Sequence, residues 1–165
     1  MEDRQVSDPN WSRRLLGFGA VIVAVLLGGL IASATIPRWW AQRIGEQVGG
    51  SIVTGTLVGL FYGFVFTALP LLVLASVARW RRTPRATAVA IGVALVLAIP
   101  NLMTVGIVLG TGNAAHAGER ILDVEAPAFR GASLAGALIA LGMAGFVAFL
   151  MVSRKQPRGT ARDAT

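Results

Sequence analysis

The chain has 165 residues, of which 55% are hydrophobic and only 14% charged, with a mean hydropathy of +0.67. This balance excludes a water-soluble core, and the length leaves room for a single integral membrane domain, 1–165. The net charge is +7 and there is no cysteine, which excludes disulfides, thiolate metal sites and iron–sulfur ligation.

The first apolar stretch runs from Leu15 to Ile36 without a charged residue, above the roughly 20 residues that a helix needs to cross hydrocarbon. Ser12-Arg13-Arg14-Leu15-Leu16 has the form of a twin-arginine export signal and Ala32-Ser33-Ala34 that of a cleavage site. The apolar run is longer than the core of about 7–15 residues in a signal peptide, so it reads as a retained span. After Pro37, the residues Trp40, Ile44 and Val48 recur every fourth position, with Arg, Gln and Glu on the other faces. That spacing predicts a short amphipathic helix lying in the interface, with Trp39 and Trp40 as anchors at the headgroup level.

The second span, Ser51 to Ala78, carries Ser51, Gly55, Gly59, Gly63 and Thr67 in strict register. Three glycines on one face cost helix propensity unless a close contact uses them, so Gly55, Gly59 and Gly63 are expected to form a packed helix–helix seam. Tyr62 falls beside that face, while Phe61 and Phe64 fall opposite it, toward lipid. Sparser small-residue stripes occur in the first span at Ala20, Ala24, Gly28 and Ala32, in the third at Ala86, Ala90, Ala94 and Ala98, and in the fourth at Gly136, Ala140, Ala144 and Ala148. Arg79 to Arg85, with Trp80 and Pro84, reads as a tight basic turn that sets topology.

The third span, Ala86 to Gly110, places Asn101 on its alanine stripe, at a depth matching Tyr62. Thr56 and Thr104 lie above them, and Pro100 frees the carbonyl of Val96 as Pro70 frees that of Phe66. Tyr62, Asn101, Thr104 and Thr56 therefore form a candidate polar patch, either a solute site or an interhelical hydrogen bond that fixes register. No Asp, Glu, Lys, Arg or His lies within any span, which weighs against proton-coupled transport.

The third loop, Thr111 to Arg130, holds the only histidine. Were it helical, His116, Glu119 and Asp123 would share a face with ligand types suited to a divalent cation. Gly112 and Gly118 weaken a helix, however, and Leu122 to Ala126 alternates like an extended strand, so a solvated loop without metal is expected. The fourth span, Gly131 to Ser153, precedes a basic tail, 154–165. No nucleophile–base pair, zinc motif or phosphate-binding glycine loop appears, so the chain reads as non-enzymatic and without a cofactor.

Eleven basic residues fall in 1–14, the middle turn and the tail, against four in the other two loops (Arg38, Arg43, Arg120 and Arg130). The positive-inside bias then makes both termini cytoplasmic, in a bacterial inner membrane, with a basic face toward anionic headgroups and not toward nucleic acid.

Arg38-Trp39-Trp40, the stretch Leu57-Val58-Gly59-Leu60-Phe61-Tyr62-Gly63-Phe64, and Gly112 to Arg120 resemble a family of small, uncharacterised actinobacterial membrane proteins labelled permeases. The resemblance covers about residues 37 to 152 and implies a four-pass membrane protein without specifying a substrate or cofactor. Together the features predict an all-α four-helix bundle, either oligomeric or a subunit of a larger membrane assembly, permease-like in character. The alternatives are a self-sufficient small-solute transporter using the polar patch and a membrane sensor using the third loop.

Overall fold

A computed structural model describes residues 9–79 and 83–153; the tails 1–8 and 154–165, which the charge pattern assigns to the cytoplasm, and residues 80–82 of the basic turn lie outside the described residues. The described residues form five helices: α1 (Pro9–Val48), α2 (Ile52–Arg79), α3 (Pro84–Val108), α4 (Asn113–Glu125) and α5 (Phe129–Ser153). All but α4 are long and apolar enough to cross a membrane.

The span ends lie within a few residues of those read from hydropathy, but two elements differ in kind. First, α1 does not break at Pro37 into a span and a separate interfacial helix; it continues for 40 residues. A proline removes one helical N–H, and the carbonyl it deprives, that of Ser33, belongs to an exposed residue. Burial of Trp40, Ala41, Ile44 and Val48 then holds the continuation in place. Second, the expected solvated loop is the helix α4. Its Ala114, Ala115, Gly118 and Leu122 are buried, and this tertiary contact overrides the propensity cost of Gly118. Gly118 has to be small because a Cβ there would come within 3.0 Å of the Pro37 carbonyl oxygen.

The most extensive packing joins α2 to α5, followed by the second half of α1 with α4 and by α2 with α3. A Cβ at Gly55 would run into the carbonyl of Pro127, one at Gly59 would lie 2.5 Å from the carbonyl oxygen of Phe129, and one at Gly63 would run into the carbonyl of Ser133. The pairing rises in both helices together, so α2 and α5 run side by side in one direction. Gly136 reciprocates from α5, where a Cβ would lie 2.5 Å from the Leu60 carbonyl oxygen. Such contacts gain dispersion that lipid cannot supply.

The turn between α1 and α2 uses Gly49 and Gly50 at φ +62° and +75°, a backbone region that residues with a Cβ rarely adopt. Gly50 N–H donates to the Glu125 carbonyl at 2.8 Å, tying this turn to the end of α4. Ser51 Oγ accepts from Thr54 N–H at the start of α2, and Thr83 with Pro84 starts α3 in the usual cap-then-proline order. The main hydrophobic cluster lies at the α4 end of the bundle. Trp40, Ala41, Ile44, Val48, Ile107, Leu122, Ala126 and Phe129 form it, with Val58, Tyr62, Met103 and Ile121 packed around.

The seam sets a sharp expectation for stability in detergent. Gly59→Leu drives a side chain into the α5 backbone and should destabilise by about 3 kcal/mol, whereas Phe61→Leu, on a side chain that is 58% exposed, should change it by less than about 0.5 kcal/mol. Unfolding curves in graded denaturing detergent distinguish the two, and equal curves would refute the seam.

Candidate functional site

Trp40, Tyr62, Thr104, Asn101 and Thr56 each make a side-chain hydrogen bond. Trp40 is carried into the core because it shares a face of α1 with Ile44 and Val48. Its indole N–H donates to Thr104 Oγ1 at 3.1 Å, and that hydroxyl donates to the Pro100 carbonyl one turn back, also at 3.1 Å. An indole buried away from water needs such an acceptor. Tyr62 stands edge-on to Trp40 at 5.9 Å between ring centroids and to Phe129 at 6.1 Å, and its hydroxyl donates to Gln47 Oε1 at 3.1 Å.

Asn101 does not meet Tyr62. Its Nδ2 donates across to α2, to Thr67 Oγ1 at 2.8 Å and to the Gly63 carbonyl at 3.3 Å. Asn101 Oδ1 is buried and has no hydrogen-bond partner among the described residues. Thr56 turns its hydroxyl back onto the Ile52 carbonyl of its own helix at 2.9 Å. The four residues expected to form one patch are thus divided among three arrangements: Tyr62 and Thr104 flank Trp40, Asn101 links α3 to α2 deeper in the bundle, and Thr56 stands apart.

The two tryptophans divide as well. Trp39 is 49% exposed, as an anchor would be, but Trp40 is 8% exposed and belongs to the core. Their neighbour Arg43 pairs with Glu46 at 2.7 Å on the surface, a contact of small energetic weight.

On α4, helical spacing does bring His116, Glu119 and Asp123 to one face. Arg130, from the first turn of α5, reaches Glu119 at 3.0 Å and Asp123 at 2.5 Å, while His116 Nδ1 lies 3.4 Å from Glu119 Oε2. One guanidinium bridges both carboxylates, and among the described residues no group of His, Cys, Asp or Glu is placed to hold a metal ion. The cluster acts as a clasp between α4 and α5. Arg130 is the partner that local spacing could not reveal, because it lies beyond the Pro127–Ala128 turn, where Ala128 adopts φ +65°.

These pairings are the geometry of a register-fixing network. Asn101→Leu should therefore cost about 1 kcal/mol in detergent unfolding, the scale of an interhelical hydrogen bond in membranes. In a chain otherwise free of cysteine, Asn101→Cys should stay unreactive toward membrane-impermeant maleimides, and rapid labelling of a folded variant would show an open polar path instead.

Compared with known proteins, the chain matches no family model, no curated protein and no solved structure, so the reading of this site rests on its own geometry.

Proposed function

We propose that this chain is a non-enzymatic four-pass subunit of a membrane assembly, built with further copies of itself or with another membrane protein. The observation that supports it is the first half of α1. Every described side chain from Arg13 to Ile31 is exposed, and nothing lies within 4 Å of a Cβ built at Gly17, Gly19, Gly28 or Gly29. Small residues are enriched where transmembrane helices meet and gain little against lipid, where a larger side chain would cover the backbone better. The stripe of Ala20, Ala24 and Gly28 is therefore a helix–helix face without a helix from its own chain. In α5, Leu141 to Phe149 are likewise exposed, with Gly142 and Gly145 open.

A self-sufficient carrier needs a binding site and a coupling group. The polar side chains here are largely paired with one another, and no Asp, Glu, Lys, Arg or His lies inside the apolar stretches. A sensor using the third loop needs a free ligand-binding face, and the acidic face of α4 is clasped by Arg130. The permease label of the resembling family fits a subunit of an assembly on the same grounds. The reading places the protein in a bacterial inner membrane with both termini in the cytoplasm, by its eleven-to-four distribution of basic residues.

Two experiments test this proposal. Gly28→Leu and Ala24→Leu meet open space within the chain, so monomer stability should hold while the mass of the purified particle falls toward that of one chain. A monomeric wild type with no co-purifying polypeptide would refute the assembly. For topology, a reporter active only outside the cytoplasm should stay silent when fused after Thr165, and activity there would reverse the orientation.

A further inference from the structure

A cavity of about 670 Å³ lies between the middle of α1, the second half of α3 and the start of α4, within the roughly 300–1,000 Å³ typical of ligand pockets. Ile36, Ile99, Leu102 and Met103 give it apolar walls, and Arg38 and Asn113 add polar groups to the lining. Ile99 and Leu102 are themselves exposed, so the cavity opens toward the surface that faces lipid.

The polar part of the lining is suited to an anion. Arg38 forms no ion pair among the described residues; one guanidinium N–H donates to the Ala34 carbonyl at 3.0 Å, and the others have no partner there. Its neighbour in kind, Arg43, is already matched by Glu46. On the same cavity, α4 starts at Gly112, which offers no side-chain cap to the first backbone N–H groups of the helix. An unpaired guanidinium and an uncapped helix N-terminus on one apolar cavity together favour a phosphate oxygen.

Depth identifies the source of that phosphate. Arg14 and Arg38 are 24 residues apart on one helix, or about 36 Å. The hydrocarbon core is about 30 Å thick, so each arginine reaches a headgroup layer, and the exposed Trp39 beside Arg38 is a residue type of that layer.

We propose that this cavity binds one membrane phospholipid. Arg38 and the first amides of α4 hold its phosphate, and an acyl chain lies along Ile36, Ile99, Leu102 and Met103. The site does not depend on the assembly proposed above, since every group in it comes from one chain.

The test is native mass spectrometry of the full chain, purified in mild detergent and presented with phosphatidylglycerol or with diacylglycerol of the same acyl chains. The wild type should retain one phosphatidylglycerol per chain, no diacylglycerol, and should not lose the lipid to millimolar inorganic phosphate. Arg38→Gln should weaken retention about tenfold, the scale of one lost charge-assisted contact. Leu102→Trp, which fills the cavity, should abolish it, and Arg43→Gln should leave it unchanged. All three positions are exposed, so thermal unfolding should remain that of the wild type. Equal retention of diacylglycerol, displacement by inorganic phosphate, or full retention by a folded Arg38→Gln would overturn the proposal. So would a second copy in the cavity, seen as a dimer that Leu102→Trp dissociates.

Discussion

Backbone contact between α2 and α5 is the constraint on which the remaining geometry depends. Gly55, Gly59 and Gly63 on one helix and Gly136 on the other leave no Cβ between the two backbones. Lipid tails are as apolar as leucine, so burial from water does not hold helices together inside a bilayer, and close packing has to do so. The seam then sets everything around it. It brings the Pro127 carbonyl against Gly55, near where α4 ends and α5 begins, and it places Phe129 in one core cluster with Trp40 and against Tyr62.

Polar groups within the bundle follow from the same solvent. A donor shielded from water must find its acceptor within the protein, and the Trp40 indole, the Tyr62 hydroxyl and the Asn101 amide each have one inside the chain. The acceptors come from different helices: Thr104 on α3, Gln47 on α1, Thr67 on α2. Each bond is modest in energy, and together they specify which face of each helix turns inward.

The core is uneven along the bundle. Side chains at the α4 end are packed between helices, while those of the first half of α1 are exposed and the far half of α5 leaves Gly142 and Gly145 open. A helix of 40 residues extends about 60 Å, twice the hydrocarbon thickness of about 30 Å. One length of α1 is therefore free to cross the membrane while the other serves as a core helix beyond the hydrocarbon centre. Pro37 sits where the two duties meet, with Arg38 and Trp39 just past it.

The apolar stretches could be read from the sequence because length without charge is a local property, and hydrocarbon tests it locally. The glycine register was legible for the same reason: residues four apart share a face whatever surrounds them. The sequence alone therefore determined four helices able to cross a membrane, and a seam face on the second of them. Tertiary structure decided what each face meets. The stripe of Trp40, Ile44 and Val48 is the same whether it lies on headgroups or on α4, and only the arrival of Ala115, Gly118 and Leu122 from seventy residues away makes it core. Leu122 to Ala126 reads as alternating until that contact rewards a helical period instead. Asn101 could be placed at a depth but not given a partner, because rotation of α3 against α2 chooses between Tyr62 and Thr67. Periodicity records which side chains travel together along a helix, whereas burial depends on neighbours distant in the chain, and only the folded arrangement supplies them.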